Sequence, residues 1–121
     1  IIEISKEINR LKEITVAINS KNKEVVAYRD ELKKSEGEAQ AAKDELASSE
    51  SDLNRAKAKY NSSPTDENYD AYRKVYDEYQ TVYYQTKGVI GSYNANAGKY
   101  NENVRQLNSL IDEYNKLIKN D

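Results

Sequence analysis

From residue 69 to residue 118 the chain repeats one spacing without a break. Tyr69, Tyr72, Tyr76, Tyr79, Tyr83, Thr86, Ile90, Tyr93, Ala97, Tyr100, Val104, Leu107, Ile111, Tyr114 and Ile118 follow one another in steps that alternate between three and four. An α-helix brings such positions onto one narrow stripe, whereas a β-strand needs alternation by two. The pattern lasts about seven heptads, twice what is needed to argue a coiled-coil seam.

The first half carries a looser version of the same repeat. Ile4, Leu11, Ile18, Val25, Leu32, Ala39, Leu46, Leu53 and Tyr60 stand seven residues apart. Their companions begin as Ile1 and Ile8, then move one residue earlier to Ile14, Tyr28, Ser35, Ala42, Ser49 and Ala56. A straight helix drifts by about 20° per heptad against a strict seven-residue repeat, so such a shift is expected where supercoiling is weak.

Pro64, the one proline, separates the two patterns. Ser63 is a suitable N-cap, Pro64 suits the first helical position, and Asp66 and Glu67 suit the positive end of a helix. A turn this short makes the helices antiparallel neighbours. The expected fold is therefore all-α: helices over about 2–61 and 64–119 joined by a turn at about 61–64, one coiled-coil hairpin spanning 1–121. With the turn centred between Asn61 and Pro64, Ala56 pairs with Tyr69, Ala42 with Tyr83, Ala39 with Thr86, Ile14 with Ile111, and Ile8 or Leu11 with Tyr114. Small residues then face rings, and aliphatic residues face aliphatic residues or Tyr, as a packed seam requires.

Some apolar residues fall outside that seam. Val75, Val82, Val89, Leu110 and Leu117 flank it on the second helix, and Val16 and Val26 lie off it on the first. They predict a further protein partner or self-association, two hairpins closing a four-helix bundle. Gly88, Gly91 and Gly98 occupy outward positions, with Gly37 opposite Gly88. They read either as a flexible level or as surface glycines that a long helix tolerates.

Composition excludes much chemistry. Charged residues make up 33% and apolar ones 37%, net charge is −2, and there is no His, Cys, Met, Phe or Trp against 11 Tyr. Without His or Cys, no nucleophile–base pair or thiolate metal site can be assembled. Asp66, Glu67 and Asp70 form the best oxygen cluster, but their spacing is not that of an EF-hand loop. The expectation is a chain that is not an enzyme and has no cofactor, metal or small-molecule substrate. Interspersed charges predict no nucleic-acid binding. No apolar run approaches the roughly 18 residues that would span a bilayer. Asn61-Ser62-Ser63 forms an acceptor sequon on the turn. The chain does not begin with Met, which predicts a fragment or processed part of a larger protein.

Tyr93-Asn94, Tyr100-Asn101 and the run from Leu107 to Ile118 resemble helical segments of secreted or envelope-anchored bacterial proteins, in which Tyr-Asn and Leu-Asn pairs recur at heptad spacing. The likeness covers about 25 residues and implies an extracytoplasmic bacterial setting. The whole hairpin is similar to the α-hairpin of periplasmic adaptor subunits, which join a membrane pump to an outer channel. That family's tip carries an Arg-Leu signature; here Arg55 is followed by Ala56, and the turn departs from it as well.

These features predict a non-catalytic spacer or oligomerisation hairpin. One alternative is an adaptor that docks through its turn with Arg55, Lys59, Asn61 and Thr65. Another is a helical arm of an enzyme whose catalytic domain lies elsewhere. Tyr84, off the seam, is the expected exposed aromatic contact.

Overall fold

A computed structural model describes residues 2–119. It contains two helices, α1 (Ile2–Ser62) and α2 (Asp66–Lys119), of 61 and 54 residues. They pack against each other antiparallel, as the all-α hairpin expectation requires. Contacts gather into two units, each holding a stretch of both helices: residues up to 33 with residues from 95, and residues 34–94. Ile1, assigned to the seam from sequence, lies outside the described residues.

The turn forms one to two residues later than expected. Ser63 N still donates to Lys59 O at 3.0 Å, so Ser63 closes the last turn of α1 and cannot cap α2. Thr65 N donates to Ser63 O at 2.8 Å across Pro64, a three-residue turn that suits the fixed φ of proline. Thr65 is the N-cap. Its Oγ1 accepts from Asn68 N at 3.1 Å, and its carbonyl accepts from Tyr69 N at 3.0 Å. Asn68 then donates from Nδ2 to Ser63 O at 2.7 Å. Thr65→Ala is expected to cost about 1 kcal/mol in a urea melt, and Thr65→Ser much less.

Moving the turn moves the pairing. In the unit of residues 34–94, Thr86 Oγ1 lies 3.3 Å from Ala42 O, not beside Ala39. Tyr69 packs on Tyr60, with centroids 5.7 Å apart, not on Ala56. Both shifts are three or four residues, about one helical turn. In the other unit, Ile8 and Leu11 do line one groove with Tyr114, as expected.

The covered positions of α1 match the seam read from sequence between Leu11 and Tyr60, with two additions, Ala17 and Lys21. Lys21 fills the gap between Ile14 and Tyr28. Its ammonium donates to Glu24 at 2.7 Å, Gln106 at 2.8 Å and Asn103 at 3.2 Å, so each of its three N–H groups has an acceptor. A polar group at a seam position lowers stability but favours one register over its neighbours. Ile4 and Ile8, placed on the seam from sequence, are exposed.

On α2 most of the expected seam is covered. Tyr72, Tyr79, Thr86, Tyr93, Tyr100, Leu107 and Tyr114 are covered throughout, and so are Tyr76, Ile90, Ala97 and Val104 in the flanking row. Their inward companions include Val75, Val82, Val89, Leu110 and Leu117, the residues set aside for a partner, while Tyr69, Tyr83, Ile111 and Ile118 are exposed. The helix is rotated toward its smaller side chains. The valine side is covered, whereas Tyr69 and Tyr83 on the other flank stand in solvent.

The glycines lie within continuous helix. Gly37 lies inside α1, and Gly88, Gly91 and Gly98 inside α2. None has positive φ, and a Cβ built on any of them meets nothing within 4 Å. Gly88→Ala and Gly91→Ala should each stabilise by about 0.5–1 kcal/mol, read as a higher urea midpoint. A loss of stability from either would reveal a required bend.

Candidate interaction surface

Little of this chain is enclosed. Ile14, at 1% exposure, and Ala39 are the buried apolar residues among those described, joined by Ser35 and Thr86. Thr86 satisfies its buried hydroxyl by donating to Val82 O at 2.8 Å. No buried side-chain polar atom among the described residues lacks a partner. The same residues hold no group of three metal-ligating side chains.

Rotation of α2 leaves one row of large side chains outside. In the unit formed by residues up to 33 and from 95, this row runs from half-buried Val104 to Ile111 and Ile118, which are 38% and 47% exposed. Next to it, Ile8, Leu11, Lys12, Thr15, Val16 and Tyr114 line an open groove. A second groove is lined by Thr15, Ile18, Asn19, Ile111, Tyr114 and Asn115, so Thr15 and Tyr114 border both. Val16 is 64% exposed. On another side of this unit, Arg10 Nε donates to Glu113 at 3.1 Å, and Nη2 donates to the same carboxylate. That hydrogen bond, together with the Glu113 charge, holds the Arg10 guanidinium above its ordinary pKa. Lying in open solvent, the pair is a local clamp rather than a site.

In the unit of residues 34–94 the exposed rings are Tyr69, Tyr83 and Tyr84, and they meet half-buried rings beside them. Tyr60 stacks on Tyr72 at 6.4 Å, and Tyr72 meets Tyr76 at a tilt, 6.2 Å away. Tyr69, Tyr72, Arg73 and Tyr76 line a shallow groove. Further along, Tyr79 meets Tyr83 at 6.2 Å, Tyr84 meets Tyr83 edge-on at 5.4 Å, and Lys87 Nζ sits 5.5 Å from the Tyr83 ring centre. These rings use one another and a lysine as partners, and their faces are only partly covered.

The residues singled out from sequence do not converge. Arg55 pairs with Asp52 at 2.9 Å, Thr65 caps α2, and Lys59 and Asn61 lie exposed at the end of α1. Tyr84 is 66% exposed, as expected, but stands 19 residues beyond Thr65, roughly 28 Å along a helix. The Ile8–Thr15–Ile111–Tyr114 surface was not among the expected contacts. Its signal was present: Ile111 and Ile118 were read as buried seam because nothing in a repeat says which of two adjacent rows turns inward.

No described helix is long and apolar enough to cross a membrane. Comparison with protein-family models, with curated proteins and with solved structures gives no match for this chain.

Proposed function

We propose that this hairpin is a non-catalytic protein-interaction module. The observation that carries the reading is the set of large aliphatic side chains left in solvent on both helices of one unit: Ile8 and Val16 on α1, Ile111 and Ile118 on α2. Single exposed apolar residues need no explanation, but neighbours that line shared grooves are typical of contact surfaces. The turn offers less. Thr65 uses its hydroxyl to cap, Arg55 faces its own helix neighbour, and no large aliphatic residue lies between Asn61 and Asn68. The Tyr-Asn and Leu-Asn likeness of the C-terminal segment is compatible with a bacterial envelope setting for such a module.

The test uses the full-length gene product, expressed from its own promoter and sized by gel filtration of a gentle extract. It should elute in an assembly larger than its own mass. Combining Ile8→Glu with Ile111→Glu should return it to that mass. Elution of the unaltered protein at its own mass would overturn the reading.

A further inference from the structure

Resting on that reading, we infer that the occupant of the α2 row Val104–Ile111–Ile118 is a second copy of this chain. The residues bordering the row point to it. Asn101, Asn108 and Asn115 are exposed and interleave with the three aliphatic residues at alternating steps of three and four. Asn101, Val104, Asn108, Ile111, Asn115 and Ile118 thus form a second heptad stripe on α2, half aliphatic and half amide. A primary amide both donates and accepts, so an Asn row is complementary to a copy of itself. Across a two-fold axis the same patch meets the same patch, and Asn pairs within a helical seam specify such contacts. The stripe carries no charge of its own, so two copies do not repel there and a strongly charged partner finds nothing to pair with.

The surface area agrees. The chain exposes 8958 Å² at 13.9 kDa, whereas a compact monomer of that mass exposes about 6,700 Å². The excess is on the order of 2,300 Å² per chain. A second copy therefore has ample uncovered surface to draw on, more than the roughly 800 Å² per partner of a standard interface. The few buried apolar residues leave the same need, since a larger partner surface supplies what the internal core lacks.

Sedimentation equilibrium of the purified chain, up to about 1 mM, tests this. The expected mass is twice 13.9 kDa. Asn108→Asp, which keeps the side-chain shape but sets two carboxylates against each other, should weaken pairing at least tenfold. Ile111→Glu should do so more strongly, and Ser109→Asp, off the stripe, should not. If Ile111→Glu fails to fold by circular dichroism, Asn108→Asp decides alone. A single-chain mass at every concentration overturns the inference, as does a dimer indifferent to Asn108→Asp. A single-chain mass here, with a larger assembly in the extract, sinks only the second copy. Single-chain mass in both sinks the interaction reading too.

Discussion

Ile14→Ala should lower the stability of this chain more than any other single aliphatic truncation, by about 2–5 kcal/mol in a urea titration followed by circular dichroism. Ile14 is the one large side chain buried below 2% exposure among the described residues. Truncating it removes contacts on every side and leaves a void in the unit that it anchors. Leu107→Ala is the natural comparison. Leu107 belongs to the α2 seam row but is only half-buried, so part of its surface is in water before the change. Its cost should be smaller, since the penalty scales with the apolar area that folding removes from water. A Leu107→Ala variant that loses as much as Ile14→Ala would show that the core is placed wrongly.

The second large effect is expected at Tyr60. It is the α1 residue that meets two rings of α2, Tyr69 at 5.7 Å and Tyr72 at 6.4 Å. Half burial of one aromatic side chain together with two ring contacts gives about 2 kcal/mol for Tyr60→Ala. The loss should be local. Hydrogen exchange should rise at the end of α1 and the start of α2, and less in the unit that contains Ile14, because units open with separate free energies. A double-mutant cycle with Tyr72→Ala should return a coupling of about 0.5–1.5 kcal/mol. Tyr84→Ala supplies the contrast. Its ring is exposed and pairs edge-on with Tyr83, so its loss should stay within about 0.5 kcal/mol. Equal losses for Tyr60→Ala and Tyr84→Ala would contradict this packing.

The largest departures from the sequence reading share one cause. A heptad repeat reports periodicity, and periodicity is unchanged when a helix rotates by one position. On α2 the row Tyr72, Tyr79, Thr86, Tyr93, Tyr100, Leu107 and Tyr114 is flanked on both sides by rows with apolar members, one led by Val75 and the other by Tyr76. Either could complete the seam. Packing against the small residues of α1 selects the valine side, because close approach favours side chains of small volume. The candidate surface is what this choice leaves over, which is why it was misread as core. The expected contacts at Arg55, Lys59, Asn61 and Thr65 came instead from their nearness to the turn, a criterion that ignores which side chains are already engaged.

Lys21 shows the same limit from the other side. It stands midway between Ile14 and Tyr28 in the repeat, and a break in an apolar series reads as a missing seam residue. Only the opposite helix reveals why a lysine is tolerated there, since Asn103 and Gln106 supply two of its three acceptors.

The sequence by itself determined that this chain forms two long helices, where they break, and that they fold back on each other. Those properties follow from local spacing, from helix propensity and from one proline, all of which act within a few residues. Tertiary structure alone decided the pairing register, the rotation of α2 and hence which apolar row faces water. These depend on side-chain volumes meeting across the two helices, and no spacing along a single chain encodes that meeting.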